Sequence, residues 1–239
     1  MNKDVFWTDI GIMEYQQALD IQRNLFDSIK EIKILNRRNN TQNQTPNYFL
    51  FTEHPHVYTL GKSGKEEHLL LGFDELKKKG VQFYKTDRGG DITYHGPGQI
   101  IAYPILDLDN FGMDIIRYMR NLEEVIIRVL KEYGIKGERI EGETGVWIDS
   151  TTSRARKICA MGVRTSKWVT MHGLAINVST DLKYFDYIIP CGIRNKGVTS
   201  MEKELGYRPD TTGLKNQILK TFEEIFGARM IFHPSGKFK

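Results

Sequence analysis

Cysteine is scarce. Two in 239 residues, Cys159 and Cys191, are too few for a disulfide framework, so both are expected as thiols, free for packing or for chemistry. Long apolar runs are missing as well: nothing approaches the ~20 residues a spanning helix needs, and Met1 to Trp7 carries no signal-peptide core. These absences predict a globular protein that neither enters nor crosses a membrane, and a cytoplasmic location. Charge of one sign is not massed anywhere. The 34 Lys and Arg against 30 Asp and Glu leave a net +4, spread along the chain without a nucleic-acid-binding motif, which argues against nucleic acid and mildly favours acidic partners. No internal repeat is present. Metal-ligand spacing is absent too, because no further Cys or His completes a site around His54 and His56, which read as turn or surface histidines. Gly61-Lys62-Ser63 imitates the end of a phosphate-binding loop, but His56 stands where that motif needs its first glycine.

What remains is ordinary soluble composition, 40% hydrophobic and 27% charged, in a length that suits one sizeable domain. From Met13 to Leu35, Ala18, Ile21, Leu25, Ile29 and Ile32 recur every three or four residues and predict an amphipathic helix. Asn36 to Asn47 is a polar tract that reads as a surface loop. Tyr48–Phe51 and Val57–Leu60 read as strands, and so does Ile100–Leu106, with Pro104 marking an edge or a bulge. A second helix follows, capped by Asp114, with Ile115, Met119, Leu122, Ile126 and Val129 on its apolar face and Gly134 beyond its end. Gly145–Ile148, Lys157–Val163, Trp168–Met171 and Gly173–Val178 then read as strands, with Arg164 to Lys167 as a hairpin turn. Leu214, Ile218, Leu219, Phe222 and Ile225 predict a third helix, and Arg229–Phe232 a last strand. The fold class is therefore α/β of the α+β type, a mixed β-sheet covered by helices in a single domain spanning 1–239.

Chemistry concentrates in two places. Arg88-Gly89-Gly90-Asp91-Ile92-Thr93-Tyr94-His95-Gly96-Pro97-Gly98-Gln99 packs four glycines into twelve residues, a backbone that other groups can approach closely. The second is a thiol with a basic partner, since a cysteine near its reference pKa is mostly protonated at neutral pH. Lys157, His95 and His172 are candidate partners. Period-two alternation puts Lys157, Cys159 and Met161 on one strand face and leaves Cys159 in contention. Ile189-Pro190-Cys191-Gly192-Ile193, a loop constrained by proline and glycine, favours Cys191 as the nucleophile.

The segment from Arg88 to Gln99 resembles the signature of the LipB octanoyltransferases, and three further blocks agree in order. They are Thr59-Leu60-Gly61-Lys62 with Glu67-His68; Lys157-Ile158, Ala160, Gly162-Val163 followed by His172-Gly173-Leu174-Ala175 and Asn177; and Pro190-Cys191-Gly192-Ile193 followed by Val198-Thr199-Ser200. The resemblance covers roughly residues 48 to 205. It implies a fold like the catalytic domain of the biotin and lipoate protein ligases, with Cys191 accepting an acyl group and Lys157 lowering its pKa and carrying protons. Arg88 to His95, Ala160-Met161-Gly162 and Gly173-Leu174-Ala175 are implied to line the acyl pocket. It further implies octanoyl-acyl carrier protein as donor, lipoyl domains of 2-oxoacid dehydrogenases and the glycine cleavage H protein as acceptors, a monomer, and neither cofactor nor metal. Asp91, Cys159, Met161 and the 36–47 stretch depart from the family pattern. The rival readings are an ATP-dependent lipoate or biotin ligase and a catalytically silent module that binds a lipoyl domain or an acyl carrier.

Overall fold

The computed structural model describes residues 1–189 and 196–234; Cys191 and its neighbours at 190–195 lie outside the described residues, as do 235–239. Its elements run β1 (Asp4–Ile12), α1 (Tyr15–Asn39), β2 (Asn47–Glu53), β3 (Val57–Leu60), α2 (Phe73–Lys78), β4 (Gln82–Lys85), β5 (Ile92–His95), β6 (Gln99–Ile105), α3 (Ile115–Glu132), β7 (Glu138–Ile140), β8 (Glu143–Ile148), β9 (Arg156–Ser166), β10 (Val169–Asn177), β11 (Gly197–Val198), α4 (Met201–Leu205), α5 (Thr211–Phe226) and β12 (Arg229–Phe232). A large mixed sheet takes the order β12-β1-β2-β6-β10-β9-β8-β7, with β11 paired to β9, and a small sheet takes the order β4-β3-β5. The outer pairs β12/β1 and β1/β2 are parallel and the ladder from β2 to β7 is antiparallel.

Three apolar clusters hold the layers together. α3 and α5 cover one face of the large sheet through Leu122, Ile126, Val129, Ile218 and Phe222. α1 covers the other face through Ala18, Leu19, Phe26 and Ile29, packed on Ile101, Ile105 and Val169. The small sheet closes over Leu76 of α2 and over Phe185, in a 3-10 turn at Leu182–Tyr187. The fold class read from the periodicities is the one observed, a mixed sheet covered by helices.

Local chemistry sets several boundaries. Asp114 caps α3, accepting the Arg117 N–H at 2.7 Å, and Gly134 takes a positive φ of 76° past its end. α1 is one turn longer than the periodicity predicts. The first residues of the polar tract, Asn36 to Asn39, belong to it, and it stops at Asn40, which adopts the left-handed conformation. The Asn36 side chain then accepts from the Asn43 N–H and donates to its carbonyl, folding the remaining tract back on the helix end. The buried centre of α1 runs through Gln22 and Phe26, and Ile21 and Leu25 flank it.

Two strand expectations are corrected. Pro104 lies on β6, an interior strand between β2 and β10, opposite Phe49. Proline is tolerated there because the β6–β10 register ends at Ala102↔Leu174; beyond it the Thr170 hydroxyl donates to the Pro104 carbonyl at 2.9 Å and accepts the Leu106 N–H at 3.0 Å. Trp168 is not a strand residue. β9 continues to Ser166, and the hairpin turns on Lys167 and Trp168 alone, both at positive φ, the signature of a two-residue turn matched to strand twist.

Candidate active site

The glycine-rich segment crosses between the two sheets and is fastened at both ends. The Arg88 side chain, 8% exposed, donates to the Thr59 carbonyl at 2.6 Å, to the Thr59 hydroxyl at 2.9 Å and to the Asp91 carbonyl at 2.8 Å. The guanidinium thus stitches β3 to the start of β5, with several charge-assisted bonds offsetting its desolvation. The turn that resembled a phosphate loop has this same role. Lys62 and Ser63 donate their N–H groups to the Arg88 and Gly90 carbonyls, and Gly61 is required because a Cβ there would meet the Gly90 oxygen at 2.2 Å. On the other side, Gly89 donates to the Val163 carbonyl of β9, and a Cβ on Gly162 would meet the Gly89 oxygen at 2.8 Å. Asp91 bonds His68 through one carboxylate oxygen and the Ile92 and Lys65 N–H groups through the other.

Beneath this segment lie two adjoining cavities. The inner one is lined by Arg88, Gly90, Asp91, Thr93 and His95 from the glycine-rich segment, by Ala160-Met161-Gly162 of β9 and by Gly173-Leu174-Ala175 of β10. The outer one is lined by Lys157, Trp147, Tyr94, Gln99, Asn177 and Phe185, among others. Thr93, Ala160 and Ala175 line both, and Ala160 and Ala175 are register partners across β9 and β10, so these three small side chains form the waist of one groove. Most residues that the family resemblance assigned to the pocket therefore converge. Ile92 is the exception, fully buried in the small-sheet core, and Gly89 acts through its backbone.

Lys157 sits at the outer end. Its Nζ lies 4.6 Å from the centroid of the Trp147 ring, which is 1% exposed and directly opposite in register on β8. The returning chain is fixed against the same strand: β11 pairs Gly197 with Arg156 and Val198 with Lys157, and the Thr199 N–H donates to the Lys157 carbonyl at 3.0 Å. Cys159 is turned into the core, away from the groove that Lys157 lines, although the Lys157 charge still acts on its thiol. The β8–β9 register slips between Val146↔Cys159 and Trp147↔Lys157, and this bulge breaks the period of two, turning Ile158 and Cys159 together into the core. Cys159 is 0% exposed, and burial pushes its thiol well above the ordinary range, so it is a packing residue and a poor nucleophile. Cys191, the thiol the sequence favours, lies outside the described residues.

The two histidine candidates belong to the inner cavity. Gln99 donates its amide to the Tyr94 carbonyl and to Asn177 Oδ1, so its Oε1 accepts from His95 Nδ1 at 3.1 Å and leaves His95 Nε2 as an acceptor. Burial holds His95 down to about 3, with His54 and Arg88 adding to the effect, and the ring is neutral at physiological pH. Asn177 carries the chain onward to the Thr199 carbonyl, tying His95 to the segment that pins Lys157. His172, in the left-handed region at φ 62°, is held below its usual range by burial and donates Nε2–H to Asp87 Oδ1 at 2.8 Å. That bond, with the Arg164 guanidinium, brings Asp87 down to about 2.

Sequence reasoning missed Tyr15, Ile101 and Tyr103 at the inner end, and Trp147, Phe185 and Lys196 at the outer end. Ile101, Tyr103 and Trp147 left a signal only as residues of expected strands, and the others left none. His54, expected on a turn or at the surface, is completely buried, donating Nδ1–H to the Met13 carbonyl and accepting from the Tyr103 hydroxyl. His56 stacks on Tyr184 at 4.2 Å and bonds the Tyr94 hydroxyl. Among the described residues no group of three or more His, Cys, Asp or Glu side chains is placed to hold a metal, and no helix is long and apolar enough to cross a membrane.

Comparison with known proteins follows the same lines. The chain is 58% identical over 231 residues to an octanoyltransferase of Christiangramia forsetii, covering 96% of this chain and 99% of that one. It is 57% identical over 232 residues to an octanoyltransferase of Flavobacterium psychrophilum, covering 97% and 100%. Among solved structures, a chain of the archaeal lipoylation system of Thermoplasma acidophilum, a bi-partite lipoate protein ligase with its E2 lipoyl domain, superposes with a TM-score of 0.68 at 17% identity. The match covers 98% of this chain and 88% of that one, and shows a shared fold. The model of the lipoyl protein ligase A/B catalytic domain matches residues 14–223, and the chain belongs to that family.

Proposed function

We propose that the chain is an acyltransferase that moves an octanoyl group from octanoyl-acyl carrier protein to a lysine of a lipoyl domain, through a thioester on Cys191, acting as a single cytoplasmic catalytic domain. The observation that carries this reading is the groove itself: a slot with apolar walls from Ile101, Met161 and Leu174 leads through the waist at Thr93, Ala160 and Ala175 to the amine of Lys157. Supporting it are full-length relatives named octanoyltransferase and the removal of Cys159 from contention by burial.

In the first half-reaction Lys157 Nζ takes the Cys191 thiol proton. The thiolate attacks the carbonyl of the carrier thioester, the carbon–sulfur bond to the carrier breaks, and the proton on Lys157 passes to the departing carrier thiolate. In the second half the acceptor lysine amine attacks the acyl-enzyme, the bond to Cys191 breaks, and a proton leaves the new amide nitrogen for the thiolate by way of Lys157. Thioester exchange is nearly isoenergetic and amide formation is strongly downhill, so no ATP is consumed. Arg88 keeps the glycine-rich segment over the inner cavity, and the Gly90 and Gly162 backbone borders the slot in which the acyl chain lies.

The test is a transfer assay with lipoyl domain as acceptor. Octanoyl-acyl carrier protein without ATP gives octanoylated product, whereas free octanoate with ATP and no carrier gives none; product from the second mixture would assign the ligase reading. Lys157→Ala lowers the rate of acyl-enzyme formation at pH 7 by about 10² or more, and an undiminished rate rejects the Cys191–Lys157 pair.

A further inference from the structure

The outer cavity does not end at Lys157. Past Phe185, Lys196, Gly197 and Val198, which line both spaces, it opens into a shallow surface groove bounded by Leu70, Leu182, Lys183, Asp186 and Lys203. No step proposed above uses this rim. Among the described residues it carries three lysines against one carboxylate, and neither Lys183 nor Lys203 has an ion-pair partner there. Lys196 reaches Glu143 only at 3.6 Å. Leu70 stands among these cations at 55% exposure. The rim is also firmly built. The Leu70 N–H donates to the Tyr187 carbonyl and the Ile189 N–H to the His68 carbonyl, joining the two segments that form one wall. Lys203 sits in the first turn of α4, where Ser200 caps its N–H.

We infer that this rim is the docking surface for an acidic carrier domain that delivers the acyl thioester on a flexible arm, the arm lying in the groove over Leu182, Phe185 and Ile188 while the acyl chain passes Lys157. The inference rests on the reading under Proposed function, in which the donor is a protein-borne thioester. A reacting carbonyl brought to Lys157 on a protein must leave that protein's surface against the rim, and the rim's charge selects the partner. Three lysines repel a basic domain and attract an acidic one at distances up to the Debye length, and exposed Leu70, on the same rim, supplies an apolar contact. The donor is favoured over the acceptor as occupant because the groove is continuous with the cavity that the acyl chain must enter first.

The experiment compares wild type with the double variant Lys183→Glu/Lys203→Glu, using two donors, octanoyl-acyl carrier protein and the small thioester octanoyl-N-acetylcysteamine. The variant raises KM for the carrier-borne donor about tenfold and flattens its salt dependence. Its kcat, its KM for the acceptor, its rates with the small thioester and its melting temperature stay at wild-type values, and Lys183→Arg/Lys203→Arg behaves as wild type. An unchanged donor KM, an equal loss with the small thioester, or a rise confined to the acceptor KM overturns the docking assignment. Wild-type enzyme that uses the small thioester but never the carrier overturns the donor reading itself, a result that needs no variant to detect.

Discussion

The waist of the groove offers the sharpest test of where the acyl chain lies. Ala160 and Ala175 face each other across β9 and β10, with Thr93 of β5 beside them, and among the described residues these three alone border both cavities. Ala160→Leu adds an isopropyl group at that point and closes the inner cavity while leaving Lys157 and the outer cavity in place. An eight-carbon acyl chain has four methylenes more than a four-carbon one. At ~0.8 kcal/mol per buried methylene the inner cavity favours the longer chain by about 3 kcal/mol, which is on the order of 200-fold in kcat/KM. Blocking the waist removes that preference: octanoyl transfer falls toward the butyryl rate, and butyryl transfer changes little. The assay is the ratio of kcat/KM for octanoyl and butyryl thioesters in wild type and variant, with circular dichroism and a melting curve to confirm that the variant is folded. A variant that is folded and keeps the wild-type ratio refutes the placement of the chain in the inner cavity.

Three other outcomes are expected. Burial holds His54 down to about 4 and His95 to about 3, so between pH 6.5 and those values the unfolded chain binds protons that the native rings refuse. Stability is therefore full above pH 6.5 and is lost as pH falls, by about 2 kcal/mol per ring between pH 7 and pH 5. Urea midpoints at the two pH values measure this, and coincident midpoints contradict the neutral, buried assignment. Gly61→Ala drives a Cβ toward the Gly90 oxygen, costing about 1–3 kcal/mol by overpacking and lowering activity by displacing the Arg88–Asp91 segment; denaturant melts and transfer rates read both. Cys159→Ala leaves a small cavity among Ile158, Val146 and Ile176, lowering stability by about 1 kcal/mol while acyl-enzyme formation persists; loss of the acyl-enzyme in a folded Cys159→Ala protein rejects its packing role.

How much of this was legible beforehand depends on how local each signal is. α3 was readable at both ends because Asp114 and Gly134 act within one turn of the helix they bound. The pocket segments were readable because a backbone that must pass within van der Waals contact of another backbone needs glycine, as Gly61, Gly162 and Gly173 show. The face of Cys159 was not readable: a single bulge against β8, a strand eleven or more residues away, inverts the alternation, and nothing in the sequence of β9 announces it. Pro104 misled for a similar reason, since its tolerance depends on Thr170 of β10. β1 escaped notice because only Val5 and Thr8 along it are buried, leaving no regular alternation to detect. His54 looked solvated because its partners, the Met13 carbonyl and the Tyr103 hydroxyl, are brought to it by tertiary packing.

Mass spectrometry of the intact protein after incubation with octanoyl-acyl carrier protein, in the absence of acceptor, tests the central claim most directly. The account predicts a single octanoyl adduct that hydroxylamine removes, retained in Cys159→Ser and absent in Cys191→Ser. An adduct that survives Cys191→Ser and disappears with Cys159→Ser contradicts it.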